Sequence, residues 1–131
     1  MKHDYNFSYD ELLCLYEVQT VALRESDLDK ALKITLNILS EKMELKRGII
    51  SIYHKEMDEI HHDTYGFENP EDVIVKFKLG EGITGEVVKS GKSISIPRLN
   101  KSPLFLDKTG ARKNLNKEDL SFICVPIIHR G

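Results

Sequence analysis

The sequence predicts an α/β fold of the α+β type: two helices, then an antiparallel sheet with a long loop beside it. Three observations carry this. Apolar residues recur at helical spacing as far as Met43, β-branched residues take over from Arg47, and residues 97–119 make a connection too long for a plain turn. No internal repeat or low-complexity linker interrupts the order.

The first helix is announced by Ser8 and Glu11, which have the spacing of a capping box. Leu12, Leu13, Tyr16, Thr20 and Leu23 then share one face of that helix. A second stripe, Cys14, Val18 and Val21, lies nearly opposite. A chain this small builds one core, so the second stripe is expected either to meet a partner chain, giving a homodimer through residues 1–25, or to be buried deeply in the same chain. Ser26 with Asp29 repeats the capping signal, and Leu28, Ala31, Leu32, Thr35, Ile38, Leu39 and Met43 form the core-facing band of a second helix.

"GIISIYH" and "EIHHDTYG" read as two short strands joined by "KEMD", a hairpin. Alternation sends Ile50 and Ile52 toward the helices and Ile49, Ser51 and Tyr53 the other way. In "SISI" (93–96), Ser93 and Ser95 separate from Ile94 and Ile96. "SFICVPII" (121–128) is apolar on both faces and is expected inside the sheet, with Pro126, which has no N–H to donate, at a bulge or where its neighbour pairs from the other side. The connection between these two strands has the length of a lid or binding loop.

Composition excludes several classes. The chain has 131 residues, 40% hydrophobic and 31% charged, with a net charge of -2, which is ordinary for one soluble domain with its own core. Basic and acidic residues are interspersed, so the counterion release that drives binding to nucleic acid is weak; Lys108, Arg112, Lys113 and Lys117 are the one basic cluster and read as a solvated loop. The two cysteines, Cys14 and Cys124, are far apart, which argues for a reducing compartment and against a disulfide framework or zinc knuckle. The opening residues lack the apolar stretch of a signal peptide and no window approaches a membrane span, so a cytoplasmic location is expected.

The stretch "KLGEGITGEVVKSGKSISIP" (78–97) sets Gly80, Gly82 and Gly85 in the spacing Gly-x-Gly-x-x-Gly, which invites a phosphate-binding reading. Its context is wrong for one. Only Glu86 to Ser90 remain before Gly91, far short of a crossover helix, and the strand and loop motifs that follow a kinase lid are absent. The glycines are instead expected to bend the chain into a short helix, with Ile83, Val87 and Val88 on one face and Gly91 as its C-terminal cap.

Two helices, a hairpin, "LGEGITGEVVKSGKSISIP", "SPLFLDKTG" and "SFICVPI" in this order resemble a GAF domain over residues 8–128. Pro103, Phe105, Leu106 and "SFICVPI" are similar to the amino-terminal regulatory domain of NifA-type, sigma-54-dependent transcription activators. The resemblance implies a GAF/PAS-like antiparallel sheet with the N-terminal helices on one face and a lidded pocket on the other. It makes residues 1–25 a helix available for dimerisation and 26–131 the domain proper. It also implies that the family's last strand and helix are missing after Gly131, so that residues 1–131 are a window onto a longer polypeptide and would be poorly soluble or obligately associated alone. The implied role is regulatory: an effector or partner protein engages the domain and controls a downstream ATPase.

On this reading the pocket lies between Ser51 and Tyr53 on the sheet, the turn with Gly82, Thr84 and Gly85, and the lid from Arg98 to Phe105. Arg98 is the fixed charge, able to hold a carboxylate or phosphate with two parallel hydrogen bonds. The expected ligand is a small anionic metabolite, a 2-oxo acid or a nucleotide; the alternative occupant is a regulatory protein. His54, His61 and His62 gather around the hairpin, but two imidazoles do not complete a metal shell, so no metal or cofactor is expected. Cys124, in the most apolar strand, is expected to be inert filling, and the cysteine pattern does not fit the redox members of the superfamily. No nucleophile, base and orienting acid are arranged together, so catalysis is not expected.

Overall fold

The computed structural model describes residues 5–45, 48–62, 75–106 and 119–129. These residues divide into two compact units, one reaching to Ile50 and the other starting at Ser51.

The first unit is a helical pair, α1 (Tyr9–Arg24) and α2 (Leu28–Met43). The expected capping box opens α1: the Glu11 N–H donates to Ser8 Oγ (3.2 Å) and the Ser8 N–H donates to Glu11 Oε2 (2.7 Å). Two donors that the helix leaves without intrahelical partners are thus satisfied. Replacing Ser8 by alanine is expected to cost about 1 kcal/mol in urea unfolding, with the spectrum of the folded state unchanged.

Of the two places expected for the second stripe of α1, burial within the same chain is the one that Cys14 takes. Cys14 is its buried residue, at 5% exposure, whereas Leu12, Tyr16 and Leu23 stand 53%, 66% and 87% exposed. Glu17 reaches Lys42 of α2 at 3.6 Å, so Cys14, Glu17, Val18 and Val21, spaced three and four apart, form the seam turned to α2. Periodicity fixed two stripes and could not say which one faced inward. The cap of α2 also moves by one residue. Asp27, not Ser26, accepts from the Lys30 N–H at 3.0 Å; Ser26 stands one place before the cap. Aspartate is as good a cap as serine and adds a charge favourable to the helix dipole.

The second unit is built on two antiparallel sheets. β1 (Ser51–His54) and β2 (Glu59–His62) form the expected hairpin, pairing Ser51 with His62 and His54 with Glu59. A third strand, β3 (Val75–Lys78), pairs with β2, so that Ile60 meets Phe77. β3 is an addition to the expected strands, although Val75, Lys76, Phe77 and Lys78 alternate in sequence as a half-buried strand should. The register places Ser51, Tyr53, Ile60 and Phe77 on one face, where Ile60 is fully buried and Phe77 is 7% exposed. The opposite face carries Ile52, His54, Glu59, His61, Lys76 and Lys78.

After β3 the chain enters α3 (Gly82–Ser90). Ile83 and Val87 of this helix are buried, Val88 is half-buried, and Gly91 ends it at φ 66°, donating to the Val87 carbonyl at 2.9 Å, as expected. β4 (Ile94–Ile96) then pairs with β5 (Phe122–Cys124). The expectation that residues 121–128 lie inside the sheet is corrected. Among the described residues β5 is three residues long and its only ladder is to β4. Ile123, Val125 and Ile127 stand 66%, 59% and 88% exposed. Pro126 therefore falls beyond the strand, and no bulge is needed to accommodate it.

Candidate functional site

Beyond β4 the chain forms an open groove of about 470 Å³, lined by Ser95, Ile96, Pro97, Arg98, Lys101, Ser102 and Pro103. Its construction follows from local sequence. Pro97 has no N–H and ends the strand. Arg98 then caps a single 3-10 turn, Leu99–Lys101. The Lys101 N–H donates to the Arg98 carbonyl at 3.2 Å and the Ser102 N–H to the Leu99 carbonyl at 3.3 Å. Arg98 and Lys101, at the two ends of this turn, both line the groove. Leu99 points inward, 1% exposed, and its N–H donates to the Leu120 carbonyl at 2.8 Å.

The groove thus offers a guanidinium, an ammonium and two serine hydroxyls against walls from Ile96, Pro97 and Pro103, with no carboxylate among the described residues that line it. Among the described residues neither Arg98 nor Lys101 has an ion-pair partner. The arrangement suits an anion. Each unit charge at 4 Å contributes about 1 kcal/mol in water and about 4 kcal/mol at an effective dielectric of 20, so in an open groove charge alone binds weakly. The guanidinium's paired donors and the apolar walls must supply the rest.

Of the residues singled out from sequence, Arg98 lines this groove; Ser51, Tyr53, Gly82, Thr84, Gly85 and Phe105 do not. Tyr53 donates its hydroxyl to Asp58 Oδ1 at 2.8 Å across the hairpin turn, and that hydrogen bond raises its pKa above the usual tyrosine value. Ser51 is half-buried on the same strand face. Gly82, at φ 63°, is covered by the loop: a β-carbon there would lie 3.2 Å from Leu106 Cδ1 and 3.3 Å from the Leu104 carbonyl oxygen. Gly85 is buried against the backbone of Lys78 and Gly80, and Thr84 is half-buried in α3. Phe105 packs on Phe122, ring centroids 6.0 Å apart at 54°. Gly82 and the loop are therefore in contact, while the Tyr53 hydroxyl is engaged within the hairpin. Lys101 was missed. Its signal was the spacing of three from Arg98 just after a proline. The basic cluster at Lys108, Arg112, Lys113 and Lys117 lies outside the described residues.

The hairpin histidines sit diagonally, His54 opposite Glu59 and His61 opposite Ile52, with ring centroids 4.4 Å apart. His54 Nε2 is buried with no hydrogen-bond partner. No group of three or more His, Cys, Asp and Glu side chains is positioned to hold a metal among the described residues. Glu59 instead accepts from His61 Nε2 at 2.8 Å and from Lys76 Nζ at 3.1 Å. The His61 hydrogen bond, then Lys76, hold its carboxyl below the ordinary 4.5. A depressed carboxylate contributes stability that is present above its unfolded pKa and lost as pH falls through the folded one. Unfolding midpoints measured below pH 4.5 should therefore fall less steeply with acid in Glu59→Gln than in the parent. Burial pushes the Cys124 thiol above its usual value, which makes it a poor nucleophile, and Cys14 is buried as well. Among the described residues no helix is long and apolar enough to cross a membrane.

Comparison with known proteins places this geometry. Residues 27–131 match the GAF domain family. The nitrogen fixation protein VnfA of Azotobacter vinelandii is 36% identical over 121 residues, covering 91% of this chain and 23% of that protein. The Nif-specific regulatory protein of Azospirillum brasilense is 32% identical over 121 residues, covering 92% of this chain and 19% of that protein. The chain thus spans about a fifth of the length of these curated relatives. Among solved structures, the GAF domain of A. aeolicus nlh2, described in an inactive state, superposes with a TM-score of 0.78 at 28% identity, covering 90% of this chain and 70% of that one. The mixed helix and antiparallel-sheet architecture, the glycine turn into α3 and these matches agree, and the chain belongs to the GAF domain family.

Proposed function

We propose that this chain is the sensory domain of a NifA-like, sigma-54-dependent transcription activator, in which a small anionic effector held by Arg98 and Lys101 controls a downstream ATPase domain. The observation that carries the ligand half of this reading is the pair of cations, Arg98 and Lys101, which have no ion-pair partner among the described residues and line a groove whose described lining holds no carboxylate. The regulatory half rests on similarity over most of the chain to nif regulators. That a solved relative has an inactive state fits a module with two states whose balance a ligand shifts. Catalysis has no part in the proposal, and the working compartment is the cytoplasm.

Thermal unfolding in the presence of 2-oxo acids and nucleotides tests the reading. A ligand at 100 times its Kd adds about 2.7 kcal/mol of stability, and Arg98→Ala is expected to abolish that gain while leaving unliganded unfolding unchanged. If no compound shifts the transition, the effector reading fails. The exposed apolar row Ile123, Val125 and Ile127 favours the second reading, a docking module for a signalling protein, in that case.

A further inference from the structure

Of the two helices in the first unit, only α2 has the outer face of an ordinary surface helix: Lys30, Lys33, Asn37 and Glu41 are exposed along it. α1 differs. Opposite its seam with α2, the outward stripe is Tyr9, Leu12, Tyr16, Gln19 and Leu23, all exposed, Tyr9 to 77%. Leu15 and Ala22, exposed as well, widen it. The charged side chains of α1 lie elsewhere: Glu11 is held in the cap, Glu17 reaches Lys42, and Asp10 and Arg24 stand seven residues to either side of Glu17 and so share its side. An exposed apolar face without a charge, running the length of a helix, marks an interaction surface.

The steps along the stripe are three, four, three and four residues, the repeat that keeps one seam of a helix turned to a partner helix. Gln19 is its one polar member, and a single polar residue in such a seam fixes the alignment at some cost in stability. We propose that α1 pairs through this stripe with α1 of a second copy of the chain, forming a two-fold dimer. Area favours that occupant. An aromatic side chain buries about 150–250 Å², and with the leucines the face can withdraw on the order of 600 Å² from each chain, so a pair reaches about 1,200 Å², where stable and specific interfaces begin. Charge disfavours a lipid surface, because helices that lie on bilayers carry Lys and Arg on their polar face, whereas α1 offers Asp10, Glu11 and Glu17 against Arg24 alone. The pairing does not depend on the groove at Arg98.

Sedimentation equilibrium of the whole chain tests this. The parent is expected to be dimeric, and Tyr16→Glu with Leu23→Glu is expected to raise the dimer dissociation constant at least about a hundredfold, with helical circular dichroism unchanged because both side chains are exposed in the protomer. Ile123→Glu with Ile127→Glu, in the other exposed apolar row, is expected to leave the dimer intact. Tyr16 is the midpoint of the stripe, so in a two-fold pair it meets its own copy whether the helices run parallel or antiparallel. Tyr16→Cys is therefore expected to give a disulfide-linked dimer on mild oxidation, where the parent and Lys33→Cys do not, and this decides the matter if the glutamate variant unfolds. A monomeric parent, an unchanged dissociation constant in a folded Tyr16→Glu, Leu23→Glu variant, or no more cross-linking from Tyr16→Cys than from Lys33→Cys overturns the pairing. Cosedimentation of a monomeric parent with phosphatidylglycerol vesicles would overturn it too and assign the face to a bilayer.

Discussion

Replacing Gly85 by alanine is expected to lower the stability of the domain by about 3 kcal/mol, enough to reduce its melting temperature by roughly 10 °C. The cause is space. A β-carbon on Gly85 would collide with the Lys78 carbonyl oxygen and lie 3.0 and 3.1 Å from the backbone nitrogen and carbonyl carbon of Gly80. Backbone cannot rotate aside as a long side chain can. The same turn is closed by the Gly80 N–H donating to the Gly85 carbonyl at 2.9 Å and the Glu81 N–H to the Lys78 carbonyl at 3.0 Å. Pushing Lys78 away would break the link from β3 into α3. Chemical denaturation measures the loss, and a Gly85→Ala protein within 1 kcal/mol of the parent would show that the β3–α3 turn is looser than described.

Leu99→Ala is expected to cost about 3 to 4 kcal/mol, against less than about 1 kcal/mol for Leu104→Ala five residues away. The chemical change is the same in both. Leu99 is 1% exposed, so truncation removes its transfer free energy and leaves a cavity beneath the groove. Leu104 is 41% exposed and its truncation leaves no enclosed void. Equal costs would mean that Leu99 and Leu104 are buried alike, contrary to their exposures. Denaturant midpoints of the two variants, at unchanged slope, decide this.

Much of the fold was legible because several signals agreed at each place. Ser8 and Glu11 cap α1, Gly91 ends α3, and the hairpin and β4 alternate as their residues require. Where the sequence misled, the missing information was tertiary. Two apolar stripes on α1 are equally periodic, and α2 decides between them by pairing Lys42 with Glu17. The run at 121–128 reads as interior because every residue type fits, yet a strand is defined by its ladder, and β5 has a ladder only from Phe122 to Cys124. The hydrogen bond of the Tyr53 hydroxyl to Asp58 likewise needs the turn geometry to be seen. At the site, Arg98 was legible as a charge just past a proline. Lys101 became visible only in the groove that it lines together with Arg98. The glycines at 82 and 85 were read as shaping a turn beside a pocket, and their nearest neighbours are backbone and loop rather than open space.

Backbone chemical-shift mapping of the whole chain against 2-oxo acids and nucleotides tests most directly the claim that Arg98 and Lys101 form the effector site. The account predicts saturable shifts concentrated at residues 95–103, weakened at least tenfold in Arg98→Lys, which keeps the charge and loses the paired donors. Saturable shifts centred elsewhere, or an affinity unchanged in Arg98→Lys and in Lys101→Ala, would contradict it.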